Sequence, residues 1–169
     1  MKTRIFAALV TGALAFAGAH AGETPKPAAA KEVADVESAI PAEVKALGEP
    51  AMTNFPGGIK MAVSSDSEEA QDHVNQGLNH LHGGWEFEAS RHFAAAMRKD
   101  PDCLLAHWGM VMCLLNPTPE TGNARIAAAD RLLALIEQGK GTELERGYAY
   151  GLVKYIEDGP KGAASAFRK

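Results

Sequence analysis

The sequence predicts an all-α fold, a right-handed superhelix of antiparallel helix pairs with about three repeats. Two stretches of the chain carry glycine, alanine and phenylalanine at the same intervals, twelve and then four positions apart. They are Gly77, Ala89 and Phe93 in the first stretch and Gly151, Ala163 and Phe167 in the second. Alanine is also abundant in the stretches with helical periodicity, which favours helix over strand. The repeated pattern therefore indicates a duplicated helical hairpin.

The first hairpin is predicted from about Ser65 to Asp100. Asp66 and Ser67 are good N-cap residues, and Glu69 follows Asp66 at capping-box spacing. The first helix then has small or apolar residues on one face, at Ala70, Val74, Gly77, Leu78 and Leu81. The sequence Gly83-Gly84 ends it, and a second helix runs from about Trp85 to Lys99 until Asp100-Pro101 stops it.

The third helix is predicted from Cys103 to about Leu115 and is apolar almost all round, so we expect it to be buried between neighbours. After the break at Asn116–Pro119, a fourth helix runs from about Asn123 to Gln138. Its apolar residues fall on one side of the helix. Glycines at 139 and 141 end it.

A fifth helix begins at the capping box of Thr142 and Glu145, and Gly159-Pro160 turns the chain into a sixth. Gly77 and Gly151 are 74 residues apart. That is two tetratricopeptide periods of about 34 residues with a surplus of about six, which fits the insertion at 116–122. The repeat is therefore of tetratricopeptide type.

The amino terminus is predicted to be a secretory leader over residues 1–21. Lys2 and Arg4 precede an apolar run, and Ala19-His20-Ala21 gives the small residues at which such leaders are cut. The alternative is a membrane anchor, but the apolar run is too short to span a bilayer of about 30 Å. We therefore expect a periplasmic or secreted protein whose mature chain has no transmembrane segment.

Residues 22–56 are rich in alanine and proline and are predicted to be a linker, with a short helix near Ala42–Leu47. The tetratricopeptide-like domain would then cover residues 57–169. The chain stops inside the sixth helix, without the polar capping helix that closes a solenoid. We expect either a domain truncated at its carboxyl end, in a fragment of a longer protein, or an oligomer that covers this end.

Charge and cysteine content restrict the function further. The formal net charge of −4 argues against a nucleic-acid partner, which requires a basic face. Cys103 and Cys113 lie ten positions apart in one predicted helix, about 15 Å from each other. That distance is beyond disulfide reach, so we expect two unpaired, buried thiols.

Several motifs of the first hairpin occur together in a known group. The stretch from Gln76-Gly77-Leu78 through Asp100-Pro101-Asp102-Cys103 to Ala106-His107-Trp108-Gly109 resembles a bacterial exported tetratricopeptide-repeat family. His107 stands where members usually have tyrosine. The resemblance covers about residues 55–169 and implies a protein-interaction scaffold with no catalytic residues. Members are several hundred residues long, which implies that this chain is an amino-terminal fragment.

The sequence has no Gly-x-Ser-x-Gly, no glycine-rich phosphate loop and no Cys-x-x-Cys-His. We therefore expect no enzyme activity and no cofactor, and we assign no catalytic or metal residue. A scaffold would bind a protein or peptide partner on its concave face, which the first helix of each pair lines. Counting from the repeat signature, the candidate partner contacts are Gln71, His82, Glu145, Tyr148 and Tyr155. The alternative for the two tyrosines is simple packing.

A periplasmic metal-handling protein, for zinc or copper, is the alternative function. Five histidines follow the leader, at His73, His80, His82, His92 and His107. His73 and His80 are seven positions apart and so share a helix face, and His107 is the candidate third ligand. These histidines could instead occupy packing positions of the repeats. A third alternative is the non-catalytic arm of a longer enzyme.

Overall fold

A computed structural model describes residues 36–168 of the chain. Its helices, numbered in chain order, are α1 (Ala42–Lys45), α2 (Glu68–His82), α3 (Glu86–Lys99), α4 (Leu104–Cys113), α5 (Gly122–Glu137) and α6 (Glu143–Ala166). Residues 36–38 are also helical. No strand occurs within 36–168, so the all-α prediction is confirmed at that level. The right-handed tetratricopeptide superhelix stays a prediction.

Of the two predicted N-cap residues of helix α2, Ser67 occupies that position. The Ser67 hydroxyl accepts the Ala70 N–H at 3.1 Å, so Ser67 and not Asp66 is the N-cap. The predicted Asp66–Glu69 capping box is therefore wrong, and the Glu69 carboxylate instead pairs with the Lys99 ammonium at 2.6 Å. The carboxyl end matches the prediction, because Gly83 is the C-cap that follows His82 and Gly84 adopts a positive φ of 77°.

The repeated glycines pack against the repeated phenylalanines. A methyl group added at Gly77 would lie 2.7 Å from the buried ring of Phe93, and one at Gly109 of α4 would also collide with that ring. In the second copy, a methyl group at Gly151 would lie 2.5 Å from the Phe167 ring. Real side-chain carbons do not approach this closely. With the rings in these positions, only glycine fits opposite each phenylalanine.

Helix α4 is central, as its apolar composition predicts, and it packs against α2, α3, α5 and α6. The two cysteines are unpaired, with Cys103 buried at its N-cap and Cys113 half-buried at its last turn. Burial raises the pKa of each thiol to about 12, which keeps both protonated. The prediction of unpaired thiols is confirmed.

Helix α6 contains the two local signals that the sequence showed. Thr142 and Glu145 form the predicted capping box. Gly159 has a φ of 66° and a ψ of −157°, which breaks the helix just before Pro160. The predicted turn between the fifth and sixth helices is confirmed, because two helical segments of α6 meet at a kink there.

Part of the predicted linker packs in the core. The side chains of Val36, Ala39, Ile40 and Val44 are buried in one cluster with the core residues of the later helices. Short helix α1, within the region predicted to be helical, contacts α3. The Arg98 guanidinium also binds Glu37, at 2.7 and 3.2 Å. Residues 36–47 therefore belong to the folded body, whereas the predicted leader and residues 22–35 lie outside the described residues.

Within residues 36–168, the structure shows no helix with both the length and the apolar character needed to cross a bilayer.

Candidate peptide-binding face

The chain between α1 and α2 contains an extended segment, residues 51–65, that runs along the surface of α2. Phe55, Pro56, Gly57 and Gly58 form a turn in this segment. The Gly58 N–H donates to the Phe55 carbonyl at 2.9 Å, and Gly57 has a φ of 70°. Proline followed by a glycine of positive φ is the signature of a type II turn. We call residues 51–65 the strap.

Two amide side chains of α2 each bind both main-chain groups of one strap residue. The Thr53 N–H donates to Gln76 Oε1 at 3.1 Å, and Gln76 Nε2 donates to the Thr53 carbonyl at 2.8 Å. The Ile59 N–H donates to Asn79 Oδ1 at 2.7 Å, and Asn79 Nδ2 donates to the Ile59 carbonyl at 2.9 Å. Each side chain therefore uses its donor and its acceptor on a single residue.

Asn75 binds Met61, two residues further along the strap, in the same way. The Met61 N–H donates to Asn75 Oδ1 at 2.7 Å, and Asn75 Nδ2 donates to the Met61 carbonyl at 3.2 Å. The second amide proton of Asn75 goes to the carbonyl of Gln71, at 3.0 Å, and that of Asn79 goes to the carbonyl of Asn75, at 2.8 Å. Both amides are thus oriented by the turn of α2 that precedes them.

A close approach of the strap to the Asn79 side chain accompanies these bonds. A methyl group at Gly58 would lie 2.5 Å from Asn79 Oδ1 and 2.7 Å from the Phe55 Cβ. Only glycine therefore lets the strap turn this near to the amide. We call the surface made by Asn75, Gln76 and Asn79 the amide face.

Two of the five candidate partner contacts bind the carboxyl end of the strap. Gln71 Nε2 donates to the Ser65 carbonyl at 2.8 Å. The Ser64 N–H donates to Glu145 Oε1 at 2.9 Å, although Glu145 is 81 positions away. Val63, which directly precedes Ser64, is buried in the core. The structure thus brings Gln71 and Glu145 together on one extended piece of main chain, which belongs to the protein itself.

The other three candidates lie apart from the strap. His82 is exposed at the end of α2, and Tyr148 and Tyr155 are exposed on α6. The Tyr148 ring lies 6.3 Å from that of Trp108 and, with Leu144, lines a shallow apolar depression. In the described part of the chain no hydrogen bond joins these three residues to the strap. Their role as contacts of a separate partner stays a prediction.

Asn75, Gln76 and Asn79 were missed by the sequence analysis, which selected Gln71 and His82 as the partner contacts on this helix. The available signal was a row of amide side chains on the polar side of the first helix, at 71, 75, 76 and 79. Neighbours three and four positions apart share a helix face. Such a row offers matched donors and acceptors to an extended chain.

The histidines form a second cluster beside this face. His73 Nδ1 and His92 Nδ1 are 3.0 Å apart, and His73 Nε2 lies 3.2 Å from Glu49 Oε1. The rings of His80 and His92 stack with centroids 5.1 Å apart. Burial, followed by the neighbouring charges of His73, His80 and Arg91, lowers the pKa of His92 to about 3 and so keeps it neutral.

His107 is not part of this cluster, and its predicted role as third ligand is wrong. Its Nε2 lies 3.0 Å from the Pro101 carbonyl, where the fully buried ring supports the Asp100-Pro101 turn. Burial lowers the pKa of His107 to about 4, against the opposing effect of that carbonyl. Among the described residues, the three side chains grouped closely enough to share an ion are His80, Glu88 and His92.

Comparison with protein-family models, with curated proteins and with solved structures finds no match. The tetratricopeptide resemblance and the interaction role it implies therefore stay predictions from the sequence.

Proposed function

We propose that this chain is a non-enzymatic interaction scaffold of the cell envelope that binds an extended polypeptide on the concave face of its helical repeats. The observation that carries the proposal is the set of paired hydrogen bonds from Gln76, Asn79 and Asn75 to single residues of the strap. A surface that satisfies both polar groups of a main-chain residue recognises extended backbone of many sequences. The export of the protein and its repeat architecture are inferred from the sequence alone.

The strap itself is the first ligand of this surface, and a partner segment would have to replace it. Each neutral hydrogen bond contributes about 0.5–1.5 kcal/mol net, so three pairs give a useful but modest affinity. Because the strap is tethered, it binds at an effective concentration of the order of millimolar. A free peptide should therefore bind weakly to the intact protein and more tightly when the strap is displaced.

The test uses a variant that blocks the strap and leaves the amide face unchanged. Ile59→Pro with Met61→Pro removes the two N–H groups that Asn79 and Asn75 accept. A fluorescently labelled peptide with the sequence of residues 51–65 is then titrated, and its anisotropy is recorded. We expect saturable binding to this variant and at least about tenfold weaker binding to the parent chain.

The matched control adds Asn75→Ala and Asn79→Ala to the same double-proline variant. We expect this control to lose the peptide, because the paired donors and acceptors are gone. The proposal is contradicted if the strap-blocked variant, with the helical circular dichroism of the parent, leaves the peptide unbound. It is equally contradicted if the control binds as well as the variant with both asparagines present.

A further inference from the structure

Three side chains of the first hairpin bring potential ligand atoms close to one another. They are His80 from the last turn of α2 and Glu88 and His92 from α3. One ligand atom from each lies within 4.8 Å of the other two. Glu88 and His92 are four positions apart and so share one face of α3, the spacing at which one helix supplies two ligands to an ion. The turn at Gly83-Gly84 brings His80 against them.

One ring nitrogen of each histidine in this group lacks a hydrogen-bond partner among the described residues. The Nε2 atoms of His80 and His92 are buried, and neither has a partner in the part of the chain that the structure describes. The residues themselves are 7% and 0% exposed. A buried polar atom without a partner is unfavourable, and each one in a native protein calls for an explanation, of which a bound ion or an ordered water is one. Two of them in neighbouring rings therefore indicate a ligand.

When His73 is neutral, the hydrogen bonds behind His92 determine which of its nitrogens carries the proton. The Glu49 carboxylate can only accept, so His73 Nε2 carries the proton of that contact. In neutral His73, Nδ1 is then the acceptor for the N–H of His92 Nδ1 at 3.0 Å. His92 Nε2 is left with its lone pair directed away from His73. Carboxylate and imidazole partners behind a histidine orient it in this way at metal centres.

We propose that His80, Glu88 and His92 form a binding site for a divalent transition metal of the zinc type, supported by His73 and Glu49. Two imidazole nitrogens and one carboxylate oxygen are a common zinc ligand set, with water completing the tetrahedron. The three ligands are not residues of the amide face, although Asn79 lines the cavity beside His80, and the two sites are tested by different readouts.

Two local adjustments accompany metal binding. The rings of His80 and His92 are inclined by only 16°, so the His80 ring turns about its Cβ–Cγ bond until both lone pairs meet at the ion. Glu88 also binds the Arg91 guanidinium, at 3.1 and 2.8 Å. It therefore gives one oxygen to the metal and keeps the other on Arg91, whose positive charge limits the affinity.

Access to the site is through the surface beside His80. A cavity of about 190 Å³ is lined by Phe55, His80, Gly83 and Trp85. The Phe55 ring meets that of His80 edge to face at 5.0 Å, and the Trp85 ring lies 6.2 Å from it. An ion can therefore reach the His80 ring from solvent without opening the helical core.

Calorimetric titration of the chelator-treated chain with zinc chloride tests the proposal, with cobalt(II) absorption as a second readout of tetrahedral coordination. We expect one ion per chain and at least about tenfold weaker binding in Glu88→Gln. His82→Ala is the matched control, because His82 lies on the same helix end but is exposed. We expect it to bind as the parent does.

Glu49→Gln provides a variant that leaves the core unchanged, because its carboxylate is more than half exposed. It weakens the support of His73, along with a contact to the exposed Lys99 ammonium at 3.5 Å, and we expect about a tenfold loss of zinc affinity with the fold retained. The proposal is overturned if the parent chain gives no heat with zinc. It is also overturned if Glu49→Gln and Glu88→Gln both bind like the parent, or if His82→Ala abolishes binding.

Discussion

Phe93→Ala is expected to lower the free energy of unfolding by about 3–5 kcal/mol, as large-to-small substitutions of buried aromatics do. The Phe93 side chain is 0% exposed, and it fills the space that Gly77 and Gly109 leave open. Neither glycine has a side chain that could move into the cavity, so little relaxation can offset the loss. Urea denaturation followed by circular dichroism measures the change.

Phe167→Ala is the matched control, because Phe167 occupies the same place in the second copy of the repeat signature. Its ring also contacts its glycine, Gly151, but its side chain is 62% exposed. We expect a loss of less than about 1 kcal/mol, since little apolar area leaves water at this position. Equal losses for the two variants would contradict the placement of the first copy in the core and the second at an open end.

Glu145→Ala is expected to lower the free energy of unfolding by about 3 kcal/mol. The carboxylate is 1% exposed and accepts two main-chain N–H groups, that of Ser64 at 2.9 Å and that of Thr142 at 2.6 Å. Hydrogen bonds to a charged acceptor contribute about 1.5–3 kcal/mol each, and alanine leaves both donors without a partner. The substitution also removes the only capping box of the described helices.

Glu143→Ala, two positions earlier in the same helical turn, provides the comparison for Glu145. Its side chain is exposed, and it interacts favourably with the positive end of the α6 dipole. We expect a loss of less than about 1 kcal/mol, measured in the same urea titrations. If the two variants were equally stable, Glu145 would not join the strap to α6.

Local signals in the sequence were sufficient for the helices. The capping box of Thr142 and Glu145, the break at Gly159-Pro160 and the glycines after α2 and α5 each depend on a few neighbouring residues. The same is true of Gly77 opposite Phe93, because a single helical hairpin brings the two residues together. Patterns of this kind are readable because the geometry of a helix relates their members directly.

The strap could not be predicted in this way. Its bonds to Asn79 and Asn75 cross 20 and 14 positions, and its contact with Glu145 crosses 81. Prolines and glycines in the strap look the same whether the segment is a free linker or lies along a helix. The row of amides on α2 also looks like any solvated helix face until an extended chain is placed on it.

Of the proposed metal site, the sequence predicted only that histidines would take part. Histidine content suggested metal chemistry, but spacing on one helix selected His73 and His80, with His107 from elsewhere. The structure instead joins His80 to Glu88 and His92 across the turn. That choice depends on how α2 and α3 are rotated against each other, which the sequence of either helix alone does not specify.

Hydrogen exchange by NMR at the main-chain amides of Thr53, Ile59 and Met61 measures most directly whether α2 holds an extended chain through its side-chain amides. We predict that all three exchange at least about tenfold more slowly than in an unfolded chain. In a variant with Asn75→Ala and Asn79→Ala, Ile59 and Met61 should exchange at the unfolded rate while α3 keeps its protection. Exchange at the unfolded rate in the parent chain would contradict the account.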